Sequence, residues 1–251
     1  MTLTMKIWAH RGRLIPNLRG NTLADFQGVY KLGVHGIETD VCFTTPDETG
    51  SQEPIIYHPD PKNRGNPKVK ILCLDNFLAF LKARPTLFCF LEPKENNEKL
   101  TDIIVQKITE YSLENRAYLT ICQLRIPFLE LEASPKLLLR ARVQNPKIKI
   151  HLIATFPFSL PALVRKYNPS IISIGWLPDS KLSVWFFKTF LVKMVNLKQQ
   201  IIQVQSMGIE IFGGIVNDRK DFEYLASLGV NGIMTDDSIA AMEFVKDRHA
   251  L

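Results

Sequence analysis

The stretch Gly36-Ile37-Glu38-Thr39-Asp40-Val41 concentrates charge in an otherwise apolar setting. Ile37, Thr39 and Val41 are β-branched, so the stretch reads as a strand. Side chains alternate faces along a strand, which puts Glu38 and Asp40 on one side, roughly 6.5–7 Å apart at the backbone. Two carboxylates so placed repel each other and cost desolvation unless positive charge sits between them. A divalent cation such as Mg²⁺ or Ca²⁺, which prefers oxygen ligands, meets that need. The bland alternative leaves both carboxylates in water on an exposed strand.

Four other groups carry chemistry: Ala9-His10-Arg11-Gly12, Asn21-Thr22, His58 and Leu91-Glu92-Pro93-Lys94. Imidazole titrates near the working pH, so His10 and His58 are candidates for paired acid–base work. Arg11 and Lys94 are fixed positive charges suited to phosphate oxygens. They could equally pair with the neighbouring carboxylates, and the two readings are compatible. Asn21 is either a hydrogen bonder in the site or part of a helix cap. Glu92 reads either as a third oxygen ligand or as a surface partner of Lys94.

These groups need a scaffold, and the chain supplies a regular one. Short apolar runs recur at Ile7–Ala9, Ile37–Val41, Leu87–Leu91, Ala117–Cys122, Ile148–Ala154, Ile171–Ile174, Ile209–Phe212 and Gly232–Met234. Helix-like stretches fall between many of them: Leu23–Leu32, Leu74–Lys82, Lys99–Tyr111, Leu160–Tyr167 and Asp221–Leu228. Alternation of this kind predicts an α/β chain folded as a (β/α)8 TIM barrel. Thr22 and Asp25 form a capping pair for the first helix. A ninth run, Pro54–His58, follows the second strand without an intervening helix, and we read it as an excursion on top of that strand which carries His58 to the barrel mouth. The C-terminal strand ends of such a barrel gather its active site. His10, Arg11, Glu38, Asp40, Glu92 and Lys94 all fall there.

With 251 residues and no linker or repeat, a single domain over 1–251 is expected. The 46% hydrophobic and 22% charged composition is that of a globular chain. A net charge of +6 suits an anionic substrate or membrane surface, while no basic stripe with interleaved aromatics points to nucleic acid. Cys42, Cys73, Cys89 and Cys122 form no C-x-x-C pair and read as buried thiols of a reducing compartment. No leader peptide precedes the first apolar run, and no span reaches the ~18 apolar residues of a membrane helix. A cytoplasmic location is the expectation.

In order and spacing, the motifs resemble those of the glycerophosphodiester phosphodiesterase family, which carries an HRG…ENT block, an E-x-D-V strand, a following H-D and an E-x-K. Toward the C-terminus, Val216-Asn217-Asp218 and Gly229-Val230-Asn231-Gly232-Ile233-Met234-Thr235-Asp236 resemble the family's W-T-V-N-D and G-V-D-G-I-x-T-D. Residues 100–205 show little beyond the barrel rhythm. The resemblance implies a metal-dependent phosphodiesterase, releasing an alcohol and a phosphomonoester from a glycerophosphodiester or lysophospholipid. Glu38, Asp40 and Glu92 would be its metal ligands and His10 and His58 its acid–base pair. Arg11, Lys94 and Asn21 would bind substrate. It also implies that the substrate's own neighbouring hydroxyl can act as nucleophile through a cyclic phosphate. The competing reading is a cyclising or phosphoryl-transferring enzyme like the spider-venom phospholipases D, and a third is a non-catalytic binding protein.

Three positions depart from the family pattern. Gly20 replaces the glutamate before Asn-Thr, Pro59 the aspartate after the second histidine (Asp60 follows it), and Gly214 the tryptophan that walls the glycerol moiety. All three lie on the substrate side. Trp176 and the aromatic run of residues 184–192 offer a replacement wall for a lysolipid chain, or a contact with a membrane surface. The plainer reading of that run is a barrel helix packing its apolar face on the strands.

Overall fold

The computed structural model describes residues 5–44, 49–50, 52–59, 71–95, 97–122, 135–154, 157–177 and 180–249. In chain order the strands are β1 (Lys6–His10), β2 (Gly36–Phe43), β3 (Pro54–Ile56), β4 (Leu72–Cys73), β5 (Phe88–Pro93), β6 (Ala117–Cys122), β7 (Lys149–Ala154), β8 (Ile171–Ile174), β9 (Glu210–Gly213) and β10 (Gly232–Thr235). The helices are α1 (Leu23–Leu32), α2 (Leu74–Lys82), α3 (Glu98–Glu110), α4 (Pro135–Gln144), α5 (Leu160–Tyr167), α6 (Lys181–Trp185), α7 (Val192–Met194), α8 (Leu197–Ser206), α9 (Arg219–Leu228) and α10 (Ser238–His249). A π-helical stretch, Phe186–Leu191, joins α6 to α7.

Eight of the strands are parallel and close on themselves in the order β1-β2-β5-β6-β7-β8-β9-β10, with β1 pairing both β2 and β10. This is the (β/α)8 barrel expected from the alternation, and all eight apolar runs fall on its strands. The ninth run also behaves as expected. β3 pairs antiparallel with the end of β2, Val41 opposite Ile56, and Tyr57 N–H donates to Asp40 O (3.1 Å). β4 extends this flap by pairing antiparallel with β3, a strand too short to be read from its two residues. At the first helix, Thr22 is the N-cap, its hydroxyl accepting from Asp25 N–H, and Gly33 closes the helix at φ 89°.

Burial sorts the side chains into two shells. Between strands and helices lies an aliphatic and aromatic layer that includes Ile7, Phe26, Phe77, Leu119 and Phe222. Inside the barrel, Trp8, Phe90, Tyr118, Ile171, Phe212 and Met234 pack on one another. The Trp8 and Phe90 rings stack with centroids 3.6 Å apart, and the next strand has Gly36 where an added Cβ would stand 2.6 Å from the Trp8 ring. One level up, His151 stacks on Phe90 (3.7 Å) and meets Thr120 Oγ1 (3.0 Å) and Ser173 Oγ (2.7 Å). Burial pushes this imidazole down to about 3, so it is a neutral packing element. The barrel is therefore filled from below, and its polar side chains accumulate at the C-terminal end. The four cysteines carry no disulfide, and among the described residues no helix is long and apolar enough to cross a membrane.

Candidate active site

The two-residue period of β2 and β5 builds the site. Gly36, Glu38 and Asp40 share the inward face of β2, and Phe90 and Glu92 that of β5. The register sets Asp40 opposite Glu92 and His10 opposite Glu38. As a result Glu38, Asp40 and Glu92, all buried, offer carboxylate oxygens within 4.8 Å of one another. These are the three candidate metal ligands of the sequence, brought together by strand register alone.

Their surroundings are cationic. Arg11 Nε lies 3.0 Å from Asp40 Oδ2, and Lys94 Nζ lies 3.0 Å from Asp40 Oδ1 and 2.7 Å from Glu92 Oε1. Asn21 Nδ2 donates to Asp40 Oδ2 (2.8 Å), while its Oδ1 accepts from Thr39 Oγ1 (2.7 Å). The cap of α1 belongs to Thr22, so the amide of Asn21 is engaged with Asp40 rather than with the helix. Although burial alone would raise Asp40, Lys94 and Arg11 hold its carboxyl well below the ordinary range. Lys94, opposed by its own burial, is raised by Glu92, Asp40 and Glu38. Glu38 goes the other way. Burial, then Asp40 and Glu92, push it well above the ordinary carboxylate range.

Glu38 also carries the test of whether a cation fits. Its Oε2 accepts from Arg11 N–H (3.0 Å), but its Oε1 is buried with no hydrogen-bond partner. A buried carboxylate oxygen without a donor is costly. With Asp40 and Glu92, Glu38 makes a set of three hard oxygen donors, which suits a divalent cation of the Mg²⁺ or Ca²⁺ type. The donor set fits the group.

Both candidate histidines reach the same place. His10 ends β1, and His58 follows β3 on the flap. With Arg11, Arg13, Glu92, Lys94, Trp176, Asn217 and Asp236 they line one cavity of about 460 Å³ at the C-terminal mouth. His10 Nδ1–H donates to Asp236 Oδ1 (2.7 Å), leaving Nε2 to face inward, 3.6 Å from Glu38 Oε2. Burial lowers His10, and Asp236 opposes it. His58 is pushed down to about 4 by burial, its Nδ1 buried and unpartnered.

Sequence reasoning quoted Asn217 and Asp236 only as parts of a motif and gave neither a role. Asp236 follows β10 and receives Arg13 Nη1–H (2.6 Å) and Asn217 Nδ2–H (3.2 Å) as well as His10. Although burial would raise it, His10 and Arg13 hold its carboxyl well below the ordinary range. A carboxylate one residue past a barrel strand was the available signal. The partner it serves, on β1, lies next to β10 only once the barrel closes.

Two of the departures from the family pattern have steric reasons. Gly20 sits at φ 73°, and a Cβ there would stand 2.6 Å from Arg11 O. We expect Gly20→Ala to cost about 2 kcal/mol or more, read as a drop in the thermal unfolding midpoint. An unchanged midpoint would mean the loop has room to move. Gly214, at φ 140°, would place a Cβ 2.3 Å from Met234 O, so no aromatic wall can stand on it. Trp176 lies on the next strand end and does line the cavity, held by Phe187 (5.2 Å) and by the Lys188 ammonium over its ring (4.8 Å). Pro59 is exposed, and Asp60 lies outside the described residues.

No family model matches the chain, and no curated protein matches it in sequence. Solved structures do. A glycerophosphodiester phosphodiesterase from Parabacteroides distasonis superposes with a TM-score of 0.69 at 16% identity, over 98% of this chain and 98% of that one. One from Thermotoga maritima gives 0.62 at 17%, over 97% and 98%. A phosphodiesterase from Oleispira antarctica, solved in complex with the product sn-glycerol-3-phosphate, gives 0.63 at 17% over 96% of each chain. From end to end, this chain has the barrel fold of the glycerophosphodiester phosphodiesterases.

Proposed function

We propose that the protein is a metal-dependent phosphodiesterase that hydrolyses a glycerophosphodiester or lysophospholipid to an alcohol and a phosphomonoester. The observation that carries this reading is the cluster of Glu38, Asp40 and Glu92, with the Glu38 Oε1 left without a donor, whose Glu92 lines one cavity with His10 and His58. The product held by the Oleispira antarctica barrel supports a glycerol phosphate ester as the small-molecule substrate. Glu38, Asp40 and Glu92 are the metal ligands in this reading. The cation would polarise a phosphoryl oxygen and neutralise charge developing on phosphorus.

The protein's own groups do the rest. Arg11 and Lys94 hold the phosphate oxygens, and Asn21 keeps Asp40 turned into the site. One histidine removes the proton of the attacking group, either water or the hydroxyl on the substrate's neighbouring carbon, and in the second case water then opens the cyclic phosphate to the phosphomonoester. The other delivers a proton to the departing alkoxide. Asp236 fixes the His10 tautomer and steadies its imidazolium. The apolar wall of Ile153, Ile174, Trp176 and Ile215 excludes water from the alcohol side.

The test is turnover of a panel of glycerophosphodiesters and lysophospholipids with Mg²⁺, Ca²⁺ or EDTA, with products followed by phosphorus NMR. Metal-dependent release of a linear phosphomonoester is expected. A cyclic phosphate as the final product would move the assignment to phosphoryl transfer, and silence across the panel from folded, metal-loaded protein would reject it.

A further inference from the structure

The outer face of the segment after β8 takes no part in this chemistry. Leu182, Trp185, Phe190 and Met194 are 72%, 56%, 51% and 51% exposed, while Phe187 and Leu191 on the opposite face are buried. The π-helical stretch explains how four large apolar side chains share one side. Val192 N–H donates to Phe187 O, five residues back, so residues four or five apart stay aligned. Trp185, Phe190 and Met194 have that spacing. This apolar strip adjoins the cavity, because Leu177 lines its rim, is itself 49% exposed, and donates its N–H to Ser183 Oγ within α6 (3.0 Å).

Charge decides what such a strip fits. From residue 180 to 209 the chain has no Asp or Glu. Lys181 and Lys193, next in sequence to Leu182 and Met194, are exposed, whereas Lys188 turns inward to pair with Asp221. An apolar protein surface would find these ammonium groups at its edge an obstacle. An anionic bilayer would not, since large apolar side chains enter the acyl boundary while lysines remain at head-group depth. We propose that Lys181–Met194 is a docking surface for an anionic lipid bilayer, set at the rim of the cavity. Neither metal nor turnover enters this inference, so it stands apart from the diesterase reading.

Trp8 and Trp176 are buried, which makes Trp185 the exposed tryptophan and a built-in reporter. The full chain, in EDTA, is mixed with phosphatidylcholine vesicles with and without phosphatidylglycerol. We expect sedimentation with the phosphatidylglycerol vesicles and a blue shift of tryptophan emission, both much weaker on phosphatidylcholine alone. The variants Trp185→Ser/Phe190→Ser and Lys181→Glu/Lys193→Glu should each lower partitioning about tenfold or more. Lys181→Glu/Lys193→Glu should keep the wild-type unfolding midpoint, because both lysines are exposed, and Trp185→Ser/Phe190→Ser should lose only a few degrees, because both rings are half exposed. Absent binding by the wild-type chain, or unchanged binding by either double variant, overturns the proposal. A concentration-dependent dimer that Trp185→Ser/Phe190→Ser dissociates also overturns it, since the strip would then be covered by a second copy.

Discussion

Replacing His10 with alanine is expected to lower kcat on any diester the protein turns over by about 10²–10⁴-fold, the range over which positioned acid–base groups act. His10 is buried at the cavity wall, bonded through Nδ1 to Asp236 and open at Nε2 toward Glu38. Alanine removes the proton carrier and leaves the three carboxylates in place, so metal binding, measured calorimetrically, should persist in the dead variant. Asp236→Asn is the companion. An amide can offer its NH₂ to Nδ1 and so favour the opposite tautomer, with the proton on Nε2. Its kcat should fall with KM little changed, and its pH profile should shift because the imidazolium loses its partner. His10→Ala at wild-type rate would remove His10 from the chemistry.

The second large effect belongs to Glu38→Gln and is read without substrate. Burial and two neighbouring carboxylates raise the Glu38 carboxyl well above its usual range. A raised carboxyl stabilises the fold below the ordinary glutamate range, and that stability is lost as pH rises through the raised value. Asp40, depressed by Lys94 and Arg11 against its burial, has the opposite sign. Its stabilisation is present above the ordinary aspartate range and is lost as pH falls. At neutral pH the metal-free protein therefore gains from Asp40 and is penalised by Glu38.

Glutamine keeps an acceptor for Arg11 N–H and turns the orphaned oxygen into a donor facing Asp40 and Glu92. In EDTA the variant should unfold at a midpoint about 2–4 °C above wild type, and the rise in midpoint that Mg²⁺ or Ca²⁺ gives wild type should be lost. A less stable variant that still responds to metal would remove Glu38 from the ligand set.

What the sequence disclosed followed from periodicity. The inward carboxylates of β2 are two residues apart, a spacing that needs no tertiary information. The eight apolar runs announced eight strands because each is bounded by turn or helix residues. His58 was placed at the mouth because its run lacked the helix a parallel partner would require. Asp236 escaped because its bond to His10 joins residues 226 positions apart. The steric reasons for Gly20 and Gly214 escaped too, since they depend on backbone atoms of Arg11 and Met234 that approach only in the folded chain. The run 184–192 was read either as buried helix or as exposed lip. One face of it is buried, with Phe187 and Leu191, and the other exposed, with Trp185 and Phe190, and a π turn cannot be seen in a window tuned to 3.6 residues.

The aromatic filling beneath the site makes the cavity a blind well. With Trp8, Phe90 and Phe212 closing the barrel below Thr120, His151 and Ser173, the described residues leave no passage along the barrel axis, and in the proposed reaction substrate and products share the C-terminal mouth. A product lingering there occupies the very space the next substrate needs. On the proposed reading, inhibition by the phosphate ester should be competitive, and turnover at high product is paced by traffic through that mouth.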